Sequence, residues 1–181
     1  MQRWIPHVDQ HAVLVALDVC GFSLHREFPP LIWHRQGLFE CVNQTSLFFQ
    51  AGRDGTASVH FLGDELRIAF QPPVTPLHVA DFLREVFRNL RRRNAGFALG
   101  ARTSVRALAL AGPVRLRIWR VCCYLNGPLV STVHEWMSNV GESEIAINAE
   151  FKMGLEMQLA LPPDVQPRDF PNGQQGWIFR P

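Results

Sequence analysis

An α+β or α/β sandwich, with helices laid over one sheet, is the fold that the sequence predicts, and three observations predict it. Strand-like and helix-like periodicities follow one another as strand, helix, strand, strand, helix, strand, strand, helix, strand. The run from His11 to Leu17 is almost continuously apolar, as a strand covered on both faces should be. Turn signals at Leu62-Gly63-Asp64, Gly112-Pro113 and Asn126-Gly127-Pro128 punctuate the apolar runs. At 181 residues the chain suits one domain, large enough to bury about 70% of its unfolded surface.

After the first strand, Leu31 to Phe49 carries apolar residues at helical intervals (Leu31, Leu38, Val42, Leu47) behind Pro29-Pro30, which predicts one long helix. Ala57–Phe61 and Glu65–Phe70 alternate as two strands joined by the tight turn at Leu62-Gly63-Asp64, and Pro72-Pro73 stops the second. Thr75-Pro76 opens a helix whose apolar face is Val79, Phe82, Leu83, Val86, Phe87 and Leu90, ending in Arg91-Arg92-Arg93-Asn94. Val105–Ala111 and Val114–Leu125 read as a hairpin turning at Gly112-Pro113. Asn126-Gly127-Pro128 opens a helix through about Ser138, Glu144–Ile147 is a short strand, and Ala149–Met157 is a helix. The tail from Pro162, rich in proline and glycine, offers an edge strand around Trp177-Ile178-Phe179 or a mobile end.

Composition excludes several functions. Hydrophobic residues make up 47% and charged residues 19%, ordinary values for a globular chain. A net charge of +2 implies no strong field for polyanions. The Arg91-Arg92-Arg93 cluster sits at a helix end, where cations favour the dipole, and lacks the aromatic platforms of a nucleic-acid groove. No apolar run is long enough to span a bilayer, and Ala12–Leu17 lacks a cleavage site, so the expectation is a cytoplasmic protein with no membrane partner. Cys122 and Cys123 are adjacent and would point to opposite faces of a strand, and no C-x-x-C pair is present, so neither a disulfide nor zinc is expected. Ser131, His134 and Glu135 share a helix turn without an oxyanion donor, which argues against a hydrolase triad.

The informative stretch is Leu14-Val15-Ala16-Leu17-Asp18-Val19-Cys20-Gly21-Phe22-Ser23 together with Gly63-Asp64. A strand runs into an aspartate and turns on a glycine, and a second aspartate follows a glycine between two later strands. Two carboxylates at the ends of neighbouring strands, beside a turn with free N–H groups, suit a metal–triphosphate site. Taken singly, an aspartate like Asp18 more often caps a helix and one like Asp64 more often sits in a hairpin turn. The pair resembles the class III nucleotidyl cyclases, whose first strand ends in a D-x-x-G-F-T/S turn and whose second metal aspartate follows a glycine. The resemblance covers about Ala12 to Met153 and implies a ferredoxin-like α+β catalytic domain, a central antiparallel-rich sheet with helices packed on it. The core would be residues 12–157, with 158–181 as a C-terminal extension.

The resemblance also implies roles. Asp18 and Asp64, with the Val19 carbonyl, would hold two Mn²⁺ or Mg²⁺ ions, and Cys20, Gly21, Phe22 and Ser23 would meet the triphosphate. In the helix after Gly127, Val130 fits the family pattern, but Ser131 stands where the transition-state asparagine belongs and Glu135 where the arginine belongs. A glutamate cannot stabilise negative charge developing on phosphorus, so another cation is needed. Arg120 is a candidate, as substitute or as a structural arginine. The adenine-reading lysine and aspartate positions hold His60 and Tyr124, and the chain's single lysine, Lys152, lies elsewhere. A tyrosine shortens the pocket, which favours uracil or cytosine.

A short cyclase with these changes is similar to the pyrimidine cyclases of bacterial anti-phage (Pycsar) systems. That implies conversion of UTP or CTP to cyclic UMP or CMP, a homodimer whose site joins Asp18 and Asp64 of one subunit to Tyr124 and Ser131 of the other, and a separate effector protein that senses the cyclic nucleotide. Leu116, Ile118 and Trp119 are interface or core candidates. The alternatives are a non-catalytic cyclase-like binding module, motivated by Ser131 and Glu135, and a purine cyclase with a displaced base-reading set.

Overall fold

A computed structural model describes residues 8–21, 28–98, 101–119 and 122–181. The chain runs β1 (Val8–Val19), α1 (Phe28–Asn43), α2 (Ser46–Asp54), β2 (Ala57–Leu62), β3 (Glu65–Phe70), α3 (Pro76–Asn94), β4 (Val105–Trp119), β5 (Cys122–Asn126), α4 (Pro128–Met137), β6 (Ile145–Ile147), α5 (Ala149–Glu156), β7 (Gln166–Asp169) and β8 (Gln175–Phe179). The strands form one eight-stranded sheet in the order β2-β3-β1-β4-β6-β8-β7, with β5 paired to the far half of β4. All pairings are antiparallel except β4 with β6. This is the mixed α+β sheet that the sequence predicts.

Alternation along β1 divides the core. Val13, Val15, Leu17 and Val19 point with Leu66, Ile68 and Phe70 toward α1, α2, α3 and α5. Ala12, Leu14 and Ala16 point the other way, with Ala69, Leu108 and Leu110, toward Leu129, Val133 and Trp136 of α4. Because both faces are covered, every residue from Ala12 to Val19 is buried, which is why the run reads as continuously apolar. Each fully buried leucine, valine or phenylalanine contributes about 1.5–3 kcal/mol over the exposed state. The α3 stripe of Val79, Phe82, Leu83, Val86, Phe87 and Leu90 is buried throughout, and Thr75 and His78 form the capping box that starts the helix.

Three expectations need correction. The helix over Leu31–Phe49 is two helices, because the chain breaks at Gln44-Thr45: the Thr45 hydroxyl donates to the Val42 carbonyl (2.7 Å) and Thr45 takes the N-cap position of α2. Gly112-Pro113 is no hairpin turn; β4 runs straight through it. On the side away from β1, β4 pairs with β6 at Ala107–Ala109 and with β5 at Arg115–Trp119, so Pro113 falls in the gap between them, where no ladder bond is required of it. Asn148 fills part of that gap, accepting from the Ala111 N–H (3.0 Å) and donating to the Ala111 carbonyl (2.8 Å). Finally, Trp177-Ile178-Phe179 lies in β8 between β6 and β7, and the edge strand is β7, which contains Pro167.

The C-terminal strands are fastened by Glu144. Its carboxylate accepts from the Gly141 N–H (2.9 Å) and from Arg168 Nη1 (2.8 Å), and lies 3.6 Å from Arg180 Nη2. Burial pushes the Glu144 carboxyl up, but the Gly141 N–H and the two arginines outweigh it and hold the group below its ordinary value of 4.5. A carboxyl lowered in the folded state stabilises the fold above the unfolded value and loses that contribution as pH falls through the folded one. Glu144→Gln should therefore lower stability at pH 7 by about 2 kcal/mol, the scale of losing charged hydrogen bonds. It should also flatten the acid limb below 4.5, as thermal unfolding midpoints between pH 3 and 7 would show. On the α4 face, Trp136 stacks on Phe170 with ring centroids 4.0 Å apart, and Gly176 of β8 lies against the edges of both rings, where a Cβ would clash.

Candidate active site

β1 delivers Asp18 to the end of the sheet on the α4 face, the side of Leu14 and Ala16. In register it lies between Glu65 of β3 and Arg106 of β4. Arg106 Nε donates to Asp18 Oδ2 at 2.7 Å, and Asp18 is only 7% exposed. Burial pushes the Asp18 carboxyl up; Arg106 opposes this, and the charges of Asp64 and Glu65 add to it. Asp64 sits in the two-residue β2–β3 turn closed by the Leu62–Glu65 pair, with Gly63 at φ +63, the left-handed conformation that the first turn position of a hairpin favours. The turn thus brings Asp64 to the same sheet end as Asp18, as the sequence suggests.

Val19 is the buried last residue of β1, opposite Val105. The Cys20 N–H donates to the Ser104 carbonyl (2.8 Å), so in this state it is committed within the fold. Burial, chiefly, pushes the Cys20 thiol up to about 11, which keeps it neutral. Gly21 follows at φ +73, exposed. Phe22, Ser23 and Arg120 lie outside the described residues.

His60 of β2 is in register with Arg67 of β3, on the same face as Asp18. Its Nε2 is buried without a hydrogen-bond partner among the described residues, and burial, then the Arg67 charge, lowers its pKa. Tyr124 lies on β5 in register with Arg117, and β5 runs close to β2. On α4, Ser131 is exposed and Glu135 half-buried. The side chains of Leu116, Ile118 and Trp119 fall outside what the structure describes.

Four charged or polar residues at this end are absent from the sequence-derived set: Glu65, Arg67, Arg106 and His134. Arg67 is 2% exposed and binds Glu65 through two nitrogens, at 2.5 and 3.1 Å, while its Nη2 lies 3.4 Å from His134 Nε2 of α4. The signal for the three strand residues was alternation: in Glu65-Leu66-Arg67 and Val105-Arg106-Ala107 the charges fall on one side of otherwise apolar strands. Among the described residues no three His, Cys, Asp or Glu side chains are grouped to hold a metal ion. The donor chemistry nevertheless suits a hard cation, because Asp18 is a buried carboxylate with two further carboxylates beside it and one cation, Arg106, already drawn to it.

Neither a protein-family model nor a curated protein matches the sequence. Solved structures do. The chain is similar to the guanylyl cyclase domain of the RhoGC fusion protein from the aquatic fungus Blastocladiella emersonii, with 17% identity, a TM-score of 0.68, and coverage of 97% of this chain and 99% of that one. The guanylate cyclase domain of RhGC from Catenaria anguillulae, solved with GTP, matches at 16% identity and a TM-score of 0.65, over 96% and 98% of the two chains. The adenylyl cyclase CyaB from P. aeruginosa matches at 14% identity and a TM-score of 0.65, over 96% and 95%. The chain has the fold of the class III adenylate and guanylate cyclase catalytic domains. Among the described residues no helix is long and apolar enough to cross a membrane.

Proposed function

We propose that the protein is a nucleotidyl cyclase that converts a pyrimidine nucleoside triphosphate, UTP or CTP, to its 3′,5′-cyclic monophosphate and pyrophosphate. The observation that carries the cyclase part of this reading is that Asp18 and Asp64 lie at one sheet end, near enough for their charges to act on each other, in a fold like that of cyclase domains. In it, Asp18, Asp64 and the Val19 carbonyl hold Mn²⁺ or Mg²⁺. Bound there, the ions supply activation of the ribose 3′-hydroxyl and neutralisation of the departing pyrophosphate. Gly21, Phe22 and Ser23 face the triphosphate, as does Cys20 if its N–H leaves Ser104. His60 and Tyr124 meet the base: the His60 Nε2, without a partner among the described residues on a half-buried ring, can donate or accept one hydrogen bond at a pyrimidine edge. Ser131 and Arg120 belong to the ribose and transition-state region. The site completes itself across a homodimer, and the cyclic product signals to a separate effector in anti-phage defence.

The purified chain incubated with each of the four ribonucleoside triphosphates and Mn²⁺ should yield cyclic UMP or cyclic CMP by mass spectrometry. Cyclic AMP or GMP would overturn the base assignment and leave the cyclase, and no cyclic product from any of the four would favour a nucleotide-binding module. The Asp18–Arg106 ion pair supports that second reading, since it already satisfies the carboxylate without a metal.

A further inference from the structure

The three carboxylates at the sheet end are not equivalent. Glu65 is locked by Arg67, a pair whose side chains are 3% and 14% exposed, and the bond is bidentate. Asp64 has no ion-pair partner among the described residues. Asp18 lies between these extremes: its side chain is 10% exposed, while that of Arg106, its partner, is 28% exposed and rises toward solvent. The other contact of Arg106 is a long one, from Nη1 to the Val140 carbonyl at 3.5 Å. The Glu65–Arg67 pair is thus the more enclosed of the two, and the Asp18–Arg106 pair the more exposed on its arginine side.

We propose that Arg106 is a resident stand-in for a divalent ion: it neutralises Asp18 in the metal-free protein and must leave Asp18 Oδ2 before a metal can bind there. This rests on the reading of Asp18 as a metal ligand. Arg106 contacts Oδ2 alone, and a divalent ion drawn to that same oxygen would lie within a few ångströms of the guanidinium, where the two cations repel. A buried carboxylate left with neither is costly, so one of the two must be present. Only the fraction of molecules in which the pair is open can take the metal, and the measured affinity is reduced by that fraction. Arg106 therefore sets the metal affinity of the protein, and also keeps the ion-free site folded.

The test is Mn²⁺ binding to the nucleotide-free full chain, followed by electron paramagnetic resonance, for the wild type, Arg106→Gln and Asp18→Asn. Arg106→Gln should bind Mn²⁺ about tenfold tighter than wild type. Its unfolding temperature should be lowered without Mn²⁺ and recover at saturating Mn²⁺. Equal or weaker binding by Arg106→Gln, with Asp18→Asn deficient, would overturn the stand-in role and leave the metal ligand in place. Binding by Asp18→Asn equal to wild type would remove the ligand assignment itself. Should Arg106→Gln not fold, the wild type decides: the Arg106 Nε–H resonance, assigned by its loss in Arg106→Lys, should shift and exchange faster as Mg²⁺ is added. A resonance unchanged at saturating Mg²⁺ would overturn the proposal.

Discussion

Asp18→Asn and Asp64→Asn should each reduce cyclic-nucleotide formation by about 10³-fold, the scale of losing one preorganised electrostatic stabiliser, while the protein stays folded. The fold should tolerate both changes for different reasons. Asp64 is a partly exposed turn residue without an ion pair among the described residues, so its replacement should shift stability by less than about 0.5 kcal/mol. Asp18 is buried and its ionised form is disfavoured there, so an isosteric amide removes a desolvation cost together with an ion pair. Turnover measured beside circular dichroism separates chemistry from folding. Two folded variants with full activity would show that the carboxylates are structural.

Asn148→Ala should be strongly destabilising, costing about 3 kcal/mol and lowering the melting temperature by about 10 °C. One side chain here does three things. Its amide nitrogen donates to the Ala111 carbonyl, and its oxygen accepts from the Ala111 N–H and, at 3.1 Å, from the Phe151 N–H that opens α5. Ala111 is 2% exposed and Phe151 fully buried, so water cannot replace the lost partners. Asn148→Ser keeps an N-cap oxygen and should recover about 1 kcal/mol of the loss, which urea unfolding of the two variants would resolve.

The same asparagine shows where sequence reasoning stops. Pairing of a distant side chain with Ala111 leaves no local trace, so Gly112-Pro113 read as a turn, as such dipeptides usually are. Thr45 likewise ended a helix through its hydroxyl's bond to the Val42 carbonyl, which apolar spacing does not register. Period-two and period-3.6 patterns, by contrast, placed β1, β3 and α3 close to their observed bounds, because burial on both faces or along one stripe writes itself into consecutive residues. At the candidate site, Asp18 and Asp64 drew notice because Gly21 follows Asp18 by three residues and Gly63 directly precedes Asp64, each glycine at a turn. Arg106 was not, because its meaning comes from the register of β4 on β1. Glu65 and Arg67 lay in plain alternation, but nothing local says that they pair with each other.

The unbroken run of β4 constrains how this chain can change by insertion or deletion. Arg115–Trp119 is held to β5, Ala107–Ala109 to β6, and Val105–Leu116 to β1. Adding one residue near Gly112 would send alternate side chains on one half of the strand to the opposite face. Leu108 and Leu110 would then turn toward α3 and α5, and Arg106 would turn away from Asp18. Length changes should accordingly gather in the loops around the sheet, while β4 drifts only by substitution.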